Sequence, residues 1–75
     1  MKSDVEARAQ FVSFCIEQYA KAKKMATEDV VTLFERYGLS EHFSEYYDEL
    51  HTHRHNWLIE EIDEIISSRQ LWELQ

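Results

Sequence analysis

The sequence predicts an all-α fold, a small bundle of three to four helices. Two observations carry that expectation. There is no proline and only one glycine, Gly38, so almost nothing interrupts a helix. Apolar residues also recur at three- and four-residue spacing along most of the chain, the period of a helix with one buried face. Seventy-five residues make a single domain, with a core expected over about 4–67 and a tail over 68–75 that is a candidate extension of the last helix. A chain this short buries only about 60% of the surface it exposes when unfolded, so its stability margin is thin.

The first helix is expected from about Asp4 to Lys24. Ser3 or Asp4 can accept from the free amides of its first turn. Its stripe is Val5, Ala9, Val12, Cys15, Ile16, Tyr19 and Ala20, widened by Phe11 and Phe14. Lys21, Lys23 and Lys24 place positive charge near its C-terminal end, where the helix dipole favours it. Thr27 is the expected cap of a second helix, with Glu28 and Asp29 in the first turn and Val30, Val31, Leu33, Phe34 and Tyr37 as its apolar face. Gly38 can close that helix in the left-handed conformation, with Leu39 packing back.

Ser40 is the expected cap of a third, aromatic helix. Phe43, Tyr46, Tyr47 and Leu50 stand there at i, i+3, i+4 and i+7, one continuous amphipathic stripe. The pattern fades over 52–56. Asn56 can cap a last helix carrying Leu58, Ile59, Ile62, Ile65 and Ile66; the alternative is that residues 57–59 run extended first. Glu60, Glu61, Asp63 and Glu64 fall on the other side of this helix, and Leu71, Trp72 and Leu74 lie in the tail.

A formal charge of −7 repels phosphate and disfavours nucleic acid and anionic lipid as partners, whereas it suits a basic protein partner. No apolar run approaches the about 20 residues that span a bilayer. A single cysteine excludes an internal disulfide, and with no signal-peptide pattern the expected setting is the cytoplasm.

No motif for catalysis, cofactor or phosphate binding stands out, so neither an enzyme nor a cofactor is expected. His51, His53 and His55 alternate, and His51 with His55 would share a helical face. A zinc site would still need further thiolates or carboxylates, and Cys15 lies far off on a core stripe. The expectation is therefore that His51 ends the aromatic helix with a local hydrogen bond while His53 and His55 are solvated. Cys15 between Val12 and Ile16 reads as a small buried hydrophobe. Ten aromatic residues are more than so small an interior can hold. Exposed tyrosine and tryptophan favour protein contacts, which singles out Tyr47, Trp57 and Trp72.

The order of these residues resembles a small bacterial helical family, domain of unknown function 3791. The elements are Phe11, Phe14, Cys15, Ile16 and Glu17; then Leu33, Phe34, Tyr37 and Gly38; then Tyr47, Leu50, His51 and Thr52; and last Ile62 with Ile65. They cover about residues 8–67. Arg54 and His55 depart from the small or polar turn usual there, which leaves the start of the last helix open. The resemblance implies a small helical protein without known enzymatic activity. Members are encoded beside larger proteins, among them ones that look like ADP-ribosyltransferase toxins.

The functional expectation is an acidic protein-binding module, an antitoxin-like partner of a neighbouring toxin. Its expected contact residues are Glu17, Tyr47, His51, Trp57 and Trp72. The alternatives are a homodimer whose last helix and Trp72 complete a shared core, and an acidic inhibitor that mimics nucleic acid.

Overall fold

A computed structural model describes residues 4–73. The sequence expectations that involve Ser3 and Leu74 lie outside them. The described chain is all-helical: α1 is Asp4–Lys23, α2 Thr27–Arg36, α3 Leu39–Glu45, α4 Tyr47–Leu50 and α5 His55–Glu73. Helix α1 is the centre of the bundle and packs against α2, α3 and α5, while α2 also packs on α3.

The buried face of α1 is narrower than the expected stripe. Phe11, Cys15, Tyr19 and Ala20 point into the core. Val5 and Ala9 face solvent instead, and Val12 and Ile16 lie at the margin. The seam i, i+4, i+8 along Phe11, Cys15 and Tyr19 wins because Phe11 carries far more apolar area than Ala9. Helix α1 ends at Lys23, and Lys24 after it takes the left-handed conformation (φ 55°). The Met25 amide then reaches back 2.9 Å to the Ala20 carbonyl, and half-buried Met25 packs on the core.

Helix α2 starts at Thr27 itself. Ala26 holds the cap position with extended φ/ψ and no side-chain cap, so the threonine is the first helical residue rather than the cap. Val30 and Phe34 are fully buried on its inner face. Gly38 closes the helix as expected, at φ 65°. The close approach of α5 adds a second reason for glycine. A Cβ at this position would stand 3.0 Å from the Arg69 guanidinium, which itself donates to the Tyr37 carbonyl. Helix α3 begins at once at Leu39, with Gly38 as its cap, so Ser40 lies inside the helix instead of capping it.

Four helices of seven residues or more match the expected bundle, and the main departure is the aromatic helix, which breaks at Tyr46 and so adds the four-residue α4. The amides of Glu49 and Leu50 both turn to the Tyr46 carbonyl. The carbonyls of Ser44 and Glu45 accept instead from the Arg8 guanidinium of α1. A side chain that takes over carbonyls of the helical ladder is a recognised cause of a break. The stripe divides accordingly: Phe43 and Leu50 are buried, Tyr47 is half-buried and Tyr46 is exposed.

Helix α5 begins at His55, one residue before the expected Asn56 cap. The Leu58 amide donates to the Arg54 carbonyl, and residues 57–59 are helical throughout, so the extended alternative does not occur. The helix runs unbroken through the tail to Glu73, where Arg36 of α2 pairs with it at 3.3 Å. Leu58, Ile62 and Ile66 supply its buried face. Asp63 is not simply on the solvated side: it accepts from the Tyr19 hydroxyl at 2.6 Å and pairs with Lys23 at 2.7 Å. At the centre, Phe34 and Phe43 stack with centroids 6.1 Å apart, and Phe11 meets Phe43 edge-on.

Candidate partner-binding surface

The break at Tyr46 shapes the surface as well as the core. It swings α4 so that Tyr47 lies edge-on against Phe11 of α1, centroids 5.5 Å apart. The Arg8 guanidinium sits 5.7 Å from the Tyr47 ring centroid. One turn on, the His51 ring stacks on Tyr47 at 4.3 Å and an interplanar angle of 12°. Its Nδ1 lies 2.6 Å from the Tyr47 carbonyl oxygen. A carbonyl only accepts, so Nδ1 carries the proton and the neutral ring keeps Nε2 as an acceptor. His53 stacks on Trp57 at 3.8 Å across the start of α5.

These rings surround a cleft of about 460 Å³ between α1, α4 and α5. Phe11, Phe14 and Tyr47 form apolar walls, and His51, His53 and His55 line the side toward α5. Phe14 is 43% exposed, an unusual state for a phenylalanine in so small a bundle. None of the described residues lining the cleft is acidic, on a chain whose formal charge is −7.

The five residues expected to meet a partner do not form one surface. Tyr47 and His51 are neighbours in the cleft, and Trp57, 36% exposed, joins them through His53. Glu17 is exposed on α1 but borders a separate depression with Lys21 and Lys24. Trp72 is 77% exposed near the far end of α5. It lies fifteen positions beyond Trp57 on one helix, about 22 Å along the axis. Phe14 is the member that the sequence reading assigned to the core stripe. Its signal was present, since it falls off the Phe11–Cys15–Tyr19 seam by one helical position. Arg8 gave no local signal, because its partners are far away in sequence.

Within the cleft, His51 is stacked on Tyr47 and His53 on Trp57. Among the described residues no group of three or more histidine, cysteine, aspartate or glutamate side chains is placed to hold a metal ion. Cys15 is 1% exposed, and burial pushes its thiol pKa up to about 12, so it stays protonated at neutral pH. The Tyr19 hydroxyl is likewise pushed up, by burial and then by its hydrogen bond to Asp63 and the charge there. Asp63 lies below its ordinary value. Desolvation acts to raise it, but the hydrogen bonds from Lys23 and Tyr19 and the Lys23 charge outweigh that.

Fold and cleft together define a small helical module with a preformed ring-lined surface. The family model described as "Protein of unknown function (DUF3791)" matches residues 10–69, and the chain belongs to that family. The matched segment contains the cleft's aromatic and histidine residues, with Ala7 of its lining, Arg8 and Trp72 outside it. No curated protein and no solved structure matches the chain. Among the described residues no helix is long and apolar enough to cross a membrane.

Proposed function

We propose that this chain is a protein-binding module that works without catalysis and takes an apolar side chain of its partner into the cleft between α1, α4 and α5. The observation that supports this most is the ring cluster of exposed Phe14 and His51 with half-buried Tyr47 around a cleft free of acidic residues. Clefts of about 300–1,000 Å³ with apolar walls and a few polar atoms suit such an anchor. An inserted leucine or phenylalanine loses water against Phe11, Phe14 and Tyr47. The Nε2 acceptor of His51 is available to a partner N–H. Outside the cleft the acidic surface, Glu17 included, complements a basic partner and speeds its encounter.

The partner class follows from the family resemblance: a toxin encoded nearby, met in the cytoplasm and masked by contact in the antitoxin-like manner. Tagged protein captured from its host should bring down one stoichiometric partner encoded next to it. Phe14→Ala and His51→Ala should each weaken that complex by about tenfold or more without unfolding the bundle. A neighbouring product that is neither bound nor neutralised overturns the toxin assignment. A partner that binds both variants as well as the parent chain overturns the cleft as its site.

A further inference from the structure

A second surface lies outside the cleft, along one flank of α5. Trp57, Glu61, Ile65, Ser68 and Trp72 follow at spacings of four, four, three and four, which keeps them in one row on a helix. Glu61, Ile65 and Ser68 line one shallow depression together with Glu64 and Arg69, Ile65 being half-buried against the core, and each tryptophan stands one turn beyond an end of it. Trp72 is 77% exposed, and the rigid helix keeps it about 22 Å from Trp57, so its own chain does not cover it.

The outer pairs of the row are complementary when it is reversed. Its midpoint falls between positions 64 and 65. Reflection about that point exchanges Trp57 with Trp72, Glu61 with Ser68, and Ile65 with Glu64. We propose that this flank is a self-association seam, in which two copies pair their α5 helices antiparallel about a twofold axis. Each Trp57 then packs against Trp72 of the second copy, and each Glu61 carboxylate accepts from the hydroxyl of Ser68 opposite. Parallel pairing would set Glu61 against Glu61 and is disfavoured by like charge. The twofold closes the assembly at two copies and satisfies both tryptophan ends at once.

One helix pair of this length covers less than the about 800 Å² per partner of a standard interface, which puts the dimer in the micromolar range or weaker. Net negative charge on both copies makes association stronger in salt. The inference does not depend on the partner-binding reading, because no residue lining the cleft belongs to the seam, although Trp57 touches the cleft's His53.

Sedimentation equilibrium of the full chain tests it. A reversible monomer–dimer equilibrium is expected between about 5 µM and about 0.5 mM, tightening with added salt. Trp72→Ala and Trp57→Ala should each weaken it by about tenfold, while Val5→Ala, at an exposed position on α1, should not. A mass of 9.1 kDa across that range overturns the proposal. Register is tested by the double variant Glu61→Cys with Ser68→Cys. Within one helix these positions are about 10 Å apart, beyond disulfide reach, so oxidation can link them only between copies. The double variant should cross-link faster than either single one; single variants that cross-link as fast as the double would show parallel pairing and overturn the seam.

Discussion

Burial sets the protonation chemistry of individual side chains in this bundle, and His42 shows it best. The ring is half-buried on α3, 5.0 Å from Tyr46 and 5.4 Å from Phe43. Desolvation lowers its pKa below 6.5, and Arg69 of α5 adds to that; Glu61 of α5 and Glu45 of α3 act in the opposite direction without reversing it. The unfolded chain takes up this proton near its ordinary value of 6.5, and the folded chain only at lower pH. Stability from this group is therefore complete above pH 6.5 and falls as the pH drops below it. Thermal melts between pH 8 and pH 5 should show that decline, and His42→Asn should flatten it. An unchanged profile in the variant would place the acid sensitivity elsewhere. Asp63 contributes in a separate, more acidic window. Its lowered pKa adds stability above 3.8 that is lost as the pH falls through the folded value.

The elements show which features were legible in the sequence. Helix content and the Gly38 stop followed from spacing and from the near absence of helix breakers, and the continuation through Trp72 was the candidate left open for the tail. Cap positions did not. Ala26 has no side-chain acceptor, and Ser40 and Asn56 could cap but lie inside helices, because the Gly38 turn and the Arg54 carbonyl already fix those starts. The break at Tyr46 was invisible for a deeper reason. Phe43, Tyr46, Tyr47 and Leu50 fit a continuous helix, and the group that interrupts them is Arg8, with partners 36 and 37 residues away. That account makes a prediction. Arg8→Met keeps the stem of the side chain but frees the Ser44 and Glu45 carbonyls. Amides of α4 should then exchange with deuterated water about tenfold faster, the effect of losing about 1.4 kcal/mol of local stability. The amides of Val30 and Phe34 should be little changed. Uniform acceleration across the chain would mean that Arg8 supports the whole fold rather than the break.

At the scale of the molecule, one small core must carry five helices, and the cleft depends on aromatic residues that the core leaves over. Phe34 and Phe43 are fully buried at the centre, whereas Phe14 is spent on the surface. Periodicity counts all three as apolar; only the packing of α1 against α3 and α5 separates them, which is why the cleft was only partly legible in the sequence. Their energetic roles should differ as sharply as their exposures. A domain of this size holds about 4–11 kcal/mol of stability, and a buried Phe→Ala change costs about 3–5 kcal/mol. Phe34→Ala should therefore remove most of the margin. Far-ultraviolet circular dichroism should show a melt lowered by more than about 15 °C, or no cooperative melt at all. Phe14→Ala should shift the midpoint by only a few degrees, because its ring already faces water. If Phe14→Ala proved as damaging as Phe34→Ala, the ring would be part of the core in solution, and the cleft would lose the wall on which its binding role depends.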